Sequence, residues 1–281
     1  MRSDNIEIFK DTARLCQTDD VLVDAVEKAT AAQELILEGS DVPVQEKKRY
    51  QESANVVISK KRTLEAAAGY RGQKVAVLNF ASASQPGGGV VTGASAQEEC
   101  ICRCSGLYFS LNTQAMWDGF YRPHREAHQM LHTDDIIYTP QVKVFKTDSS
   151  APQLMPKEQW YDVDVITCAA PNLRHAEERR HTEASKRRSC DAALLALHEK
   201  RLRRILEVAV SKGCETIILG AFGCGAFMND PEIVALANRN VLREYVYAFQ
   251  NIEYAVYCTP EHERNYRVFQ RLLQIYQKGS K

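Results

Sequence analysis

The sequence predicts an α/β sandwich built on a largely parallel or mixed sheet, and three observations carry that expectation. Four short apolar runs, at 74–80, 162–168, 215–220 and 252–258, read as buried strands. Long helical stretches over about 182–212, 231–249 and 262–276 alternate with them, as in a layered α/β sheet. Seven of the fourteen glycines fall in two short stretches, each just past the carboxyl end of a strand and before a helix. In open α/β sheets that edge is where ligands bind.

Taken in order, residues 1–68 carry almost no turn signal after Gly39–Pro43, and 20–26 and 62–68 favour helix. They are expected to form a helical N-terminal extension, closed by Gly69 as a C-cap, with 69–281 as the main domain. The 74–80 strand follows, then Gly87, Gly88, Gly89 and Gly93. Short strands are expected near 136–138 and 142–145, ahead of a polar loop at 146–158. Beyond the 215–220 strand lie Gly220, Gly223 and Gly225, and Asp230-Pro231 makes a strong helix start. No internal repeat occurs, and no linker cuts the chain cleanly in two.

Composition narrows the function classes. The 281 residues hold 36 Lys+Arg against 36 Asp+Glu, so no overall field holds a polyanion and general nucleic-acid binding is not expected. Apolar runs are too short for a membrane span, and residues 1–5 lead into charge without a signal-peptide core. Nine scattered cysteines, an odd count, fit a protein of a reducing compartment, expected here to be the cytoplasm. A monomer is expected.

The two glycine stretches allow main-chain N–H groups to approach a ligand closely. The second, leading into a helix N-terminus, suits a phosphate or diphosphate. The plain alternative is that both are tight connections. Standard fingerprints fail: neither stretch completes the dinucleotide motif, and no G-x-x-x-x-G-K-S/T occurs. Directly after the first stretch stand Gln97, Glu98 and Glu99. Two acids at a helix start are by default partners of the helix dipole. Their place at the ligand edge adds a chemical reading. Adjacent helical residues point about 100° apart, so one carboxylate can face a ligand while the other anchors. A single carboxyl group in a closed cleft can serve as acid and then base.

Pro86-Gly87-Gly88-Gly89 followed by Gln97-Glu98-Glu99 resembles the G-G-G-x(n)-Q-E-E signature of microbial-type poly(ADP-ribose) glycohydrolases, of the macrodomain superfamily. Residues 220–231 resemble that group's diphosphate-binding loop, and 78–82 are similar as well. The resemblance implies a three-layer α/β/α macrodomain with a mixed central sheet, in which 69–281 would be the catalytic domain and ADP-ribose would lie at the strand ends. Glu99 and Glu98 would be the catalytic pair, Glu99 as the acid/base, with Glu98 and Gln97 holding ribose hydroxyls and loop geometry. Gly223, Cys224, Gly225 and Ala226 would wrap the diphosphate, and Phe227 would pack on the distal ribose. Asn79 and the loop Gly87, Gly88, Gly89, Val90 to Thr92 would line that ribose pocket. The implied activity is release of ADP-ribose from poly(ADP-ribose)-modified proteins, with no cofactor and no metal. A mono-ADP-ribosyl hydrolase and a non-catalytic ADP-ribose reader remain alternatives.

Other signals are read structurally. Cys100, Cys102 and Cys104, spaced by two on a helix, diverge around its axis. Cys224 lacks the glycine that a nucleophile elbow needs at Phe222. His124, His128 and His132 could stack on one helical face, but Pro123 and 133–135 suggest a short helix. Arg179-Arg180, 186–188 and Arg201 to Arg204 read as a solvated basic face able to steer a polyanion.

Overall fold

The computed structural model describes residues 2–43, 46–174 and 184–277, apart from the side chains of 184–189. Period-two burial sorts its side chains onto two faces of one sheet. In β3 (Val75–Phe80), Val75 and Val77 join one apolar cluster while Ala76 and Leu78 join another on the opposite face. The strands β1 (Glu34–Ile36), β2 (Asn55–Ser59), β4 (Ile136–Val144), β5 (Tyr161–Cys168), β6 (Thr216–Leu219) and β7 (Asn251–Ala255) complete a seven-stranded sheet. Its order is β1-β4-β5-β3-β6-β7-β2. The five strands from β5 to β2 run parallel, and β4 and β1 add an antiparallel edge.

The helices cover both faces. Leu202 and Ile205 of α8 (Ala184–Ser211), Val234 and Val241 of α9 (Pro231–Tyr245) and Phe269 of α10 (Arg264–Leu273) bury one face. Leu64 of α3 (Thr63–Ala67), Ile101 of α4 (Gln97–Cys104) and Leu107 of α5 (Leu107–Leu111) bury the other. Ahead of the sheet, α1 (Arg2–Thr18) places Phe9 in the second cluster. Leu22 of α2 (Asp20–Ala31) packs on Cys16 and Phe145. Short helical turns α6 (Gln114–Met116) and α7 (Arg122–Ala127) follow α5. Among the described residues, no helix is long and apolar enough to cross a membrane.

The α/β/α layering with a mixed sheet is as expected, and so are the four buried strands in outline. The first 68 residues differ. They contain the expected helices α1, α2 and α3, but also both edge strands of the sheet. β1 pairs with β4 and β2 pairs with β7, so the sheet extends across residue 68 in sequence. The β-branched run Val56-Val57-Ile58 is the signal that a helical reading passed over. The two short strands expected at 136–145 are one strand, with a register shift between Thr139 and Val142 where Pro140 offers no N–H and Gln141 has φ of 51°.

The histidine triplet does not share a helical face. The helix stops at Ala127, and His128 and His132 both have left-handed backbone. Of the basic residues, Arg201 is buried, donating to Asp134 and to the Leu131 and Ala169 carbonyls. Arg203 pairs with Glu244, and Arg204 holds the Leu37–Ser40 turn. Arg179-Arg180 and the side chains of 186–188 lie outside the described residues.

Candidate active site

Three side chains at the start of α4 organise the carboxyl edge of the sheet. Pairing of β3 with β6 ends at Val77, which leaves Leu78 C=O and Phe80 N–H without a neighbour on that side. The Gln97 amide supplies both: Oε1 accepts from Phe80 N (2.8 Å) and Nε2 donates to Leu78 O (2.7 Å). The same Nε2 donates to Thr63 Oγ1 (3.0 Å), tying α3 to the site. Glu98 reaches back under β3, accepting from Ser82 N (2.7 Å) and Asn79 Nδ2 (3.3 Å). It is 2 % exposed, and burial, with Glu99 beside it, pushes its carboxyl up to about 8 against the pull of those N–H donors.

Glu99 points the other way. Its Oε1 accepts from Gly89 N (2.9 Å), while its Oε2 is buried with no partner among the described residues. Only glycine fits at Gly88: φ is +55°, and a Cβ there would lie 2.6 Å from Glu99 Oε1 and 3.1 Å from Glu98 Oε2.

Across the cleft, the loop after β6 turns on Asn229. Its Nδ2 donates to Pro171 O (2.7 Å) and Gly223 O (3.1 Å), and its Oδ1 faces His198 Nε2 at 3.0 Å. Burial holds the His198 imidazole down at about 4, so it is neutral and donates through Nε2. Among the described residues, the N–H groups of Gly223, Gly225, Ala226 and Phe227 donate to no protein acceptor. Asp230 caps the 15-residue α9 immediately after, accepting from Glu232 N. Loop amides and helix N-terminus together make an anion cradle. Arg174 borders it, donating from Nε to Ala226 O (2.9 Å), with its guanidinium 5.9 Å from the centre of the Phe227 ring.

The cleft between these loops measures about 630 Å³. Of the residues singled out from the sequence, Gly88, Gly89, Gln97, Glu98, Glu99, Gly223, Gly225, Ala226 and Phe227 line it. Asn79 does not. It is wholly buried beneath Glu98, because its amide is bonded to Glu98 and to Thr167 Oγ1 (3.2 Å). Gly87 packs on Tyr108, Val90 enters the core, Thr92 bonds back to Gly89 O, and Cys224 packs behind its loop.

Sequence reasoning missed the far end of the cleft. There Arg62 lies 3.9 Å from the centre of the half-exposed Tyr257 ring, near Thr63, Val256 and Asn265. Arg62 and Tyr257 follow β2 and β7, so the strand-end rule would have found them had β2 been recognised. Asp148 also lines the cleft, and its Oδ2 accepts from Leu64 N (2.9 Å).

Fold and cleft together define the class: a three-layer α/β/α protein in which an anion cradle faces a buried carboxyl group across the carboxyl edge of the sheet. A family model described as "Microbial-type PARG, catalytic domain" matches residues 4–147. The chain belongs to this family of poly(ADP-ribose) glycohydrolases. Among solved structures, the enzyme from Thermomonospora curvata is 28 % identical, over 96 % of this chain and 100 % of that one, with a TM-score of 0.80. The same organism's enzyme bound to the inhibitor ADP-HPD is 29 % identical, over 96 % and 99 %, at 0.79. The Deinococcus radiodurans enzyme in complex with ADP-ribose is 34 % identical, over 89 % and 97 %, at 0.74. No curated protein matches.

Proposed function

We propose that this protein is a poly(ADP-ribose) glycohydrolase that releases ADP-ribose from chain ends, with Glu99 as the acid/base. The observation that carries the assignment of Glu99 is its Oε2, buried and without a partner among the described residues, while Oε1 is fixed by Gly89 N–H. That oxygen is committed to no described group, and Glu99 lines the cleft where a glycosidic oxygen would arrive. The terminal diphosphate would lie on the amides of Gly223 to Phe227, which places the distal ribose against Gly88, Gly89 and Phe227. Three inter-strand steps separate β3 from β2, about 14 Å, which leaves room for the adenosine half beside Tyr257 and Arg62.

The chemistry follows from that placement. Glu99 donates its proton to the leaving ribose oxygen as the bond to the anomeric carbon breaks. The resulting carboxylate faces the oxocarbenium-like centre, takes a proton from water, and the hydroxide so formed attacks that carbon. This returns Glu99 to its acid form, so one carboxyl group performs steps that most glycosidases divide between two. Gln97 and Glu98 have their hydrogen bonds committed to β3, Ser82 and Asn79. Their part is to hold the loop rather than the sugar.

The partners on this reading are poly(ADP-ribose) chains on modified proteins, and the enzyme acts as a monomer. Nine unpaired cysteines support a reducing, cytoplasmic setting.

The test is ADP-ribose release from poly(ADP-ribose)-modified protein by wild type and Glu99→Gln, with EDTA present. Release by wild type, with Glu99→Gln slower by at least about a thousandfold and still binding ADP-ribose, is the expected result. Binding by both without release by either would leave a reader or a mono-ADP-ribosyl substrate.

A further inference from the structure

The contact that orients Glu99, Gly89 N–H to Oε1, joins two separate pieces of chain: the loop 87–93 and α4. Something must hold those two pieces in register, and the N-terminal helix touches both.

The loop is a chain of tight turns, with Val90 N bonded to Gly87 O, Thr92 N and Ala94 N to Gly89 O, and Gly93 N to Val90 O. Its last two carbonyls, of Thr92 and Gly93, receive no backbone donor among the described residues. Helix α1 supplies side-chain donors instead. Arg2 Nε donates to Thr92 O (3.2 Å), and Asn5 Nδ2 donates to Gly93 O (3.1 Å). The contact is close enough to require glycine: Gly93 has φ of +78°, and a Cβ there would meet the Arg2 carbonyl and lie 3.0 Å from Ile6 Cγ1.

The same helix reaches the other piece. Thr12 Oγ1 donates to Arg103 O (2.6 Å) in the last turn of α4. The Phe9 ring meets Tyr108 edge-on at 5.0 Å, and Tyr108 fills the space beside Gly87 at the loop's start. Lys146, 3 % exposed, fixes α1 to the chain just beyond β4, donating to Ile8 O (3.0 Å) and Thr12 Oγ1 (2.8 Å) and pairing with Asp11 (2.9 Å).

We propose that α1 splints the catalytic loop to α4, and that Asn5 is a positioning residue for the acid/base, acting through Gly93 and Gly89 without touching substrate. The inference rests on the assignment of Glu99 made above. It assigns the N-terminal helix to the ribose end of the cleft and leaves the diphosphate cradle independent of it.

Deleting α1 would remove Phe9 and Cys16 from the packed interior, so the test removes only the donor. Asn5→Asp keeps the size and loses the N–H; Asn5→Gln keeps the N–H. The readouts are kcat and KM on poly(ADP-ribose), ADP-ribose affinity by calorimetry, and amide hydrogen exchange. Asn5→Asp should lower kcat about fivefold to tenfold, the scale of one lost hydrogen bond. KM and ADP-ribose affinity should stay within about twofold, and Asn5→Gln should retain most of the activity. Exchange at 89–94 should quicken in Asn5→Asp while that at 223–228 does not change. Full kcat in Asn5→Asp would overturn the proposal. So would a parallel fall of kcat and ADP-ribose affinity that Asn5→Gln shares, because that pattern marks general loosening. An inactive wild type would instead count against the assigned activity, and the exchange readout would still decide whether α1 holds the loop.

Discussion

At the scale of single residues, the site depends on where side chains are absent as much as on where they are present. Gly88 and Gly225 both line the cleft in glycine-rich loops, yet the structure separates them. Gly88→Ala forces a Cβ against Glu99 and Glu98 at positive φ, whereas a Cβ at Gly225 meets nothing within 4 Å. On the proposed role of Glu99, steady-state kinetics should show Gly88→Ala losing about a hundredfold or more in kcat, the scale of a catalytic group displaced by a fraction of an ångström. Gly225→Ala should remain within about twofold. Glu98 sets a pH signature. Its folded value of about 8 lies above the ordinary 4.5, so the folded protein retains a proton that the unfolded chain has released. That share of stability is whole below about 4.5 and is lost as pH rises through about 8. Thermal midpoints from pH 5 to 9 should therefore fall more steeply for wild type than for Glu98→Gln. Equal slopes would mean that the N–H groups of Ser82 and Asn79 outweigh burial. The two neighbouring carboxylates were legible in sequence as a pair that must diverge; which of them keeps a free oxygen was not, because that is decided by Ser82, Asn79 and Gly89 arriving from outside the helix.

At the scale of elements, the 223–227 loop, proposed above to hold the diphosphate, takes its shape from Asn229, whose partner is 31 positions away in sequence. His198 of α8 holds Asn229, and Asn229 holds Gly223 and Pro171. Replacing His198 by Leu leaves the Asn229 carbonyl without its donor and should weaken ADP-ribose binding several-fold with kcat little changed. Calorimetry with ADP-ribose alone checks this, and unchanged affinity would assign His198 to packing only. The loop itself was readable from glycine clustering before an Asp-Pro helix start. Its support was not, since nothing in the spacing of His198 and Asn229 joins them before the fold does. The same holds for Gln97: its type and place could be read, but its clamp on Leu78 and Phe80 exists only because β6 stops pairing at Val77.

At the scale of the whole molecule, the buried strands and their alternation with helices were legible, because a strand covered on both faces is written as a continuous apolar run. The edge strands were not. β1 is three residues long, too short to show a period, and β2 stands among helical stretches. Both come from the first 60 residues, yet they border opposite sides of the sheet. β2 is paired from Asn55 with Asn251 to Ser59 with Ala255, and Arg62 next to it meets Tyr257. Translation runs in one direction, so a ribosome must have passed residue 251 before β2 has anything to pair with, and residue 255 before it can pair along its length. Until then the early segment waits beside an incomplete sheet, and the end of the cleft formed by Arg62 and Tyr257 does not exist. The binding site is thus among the last features a nascent chain can acquire, and the stretch of synthesis between residues 59 and 251 is when its strand-forming segment is most open to wrong partners.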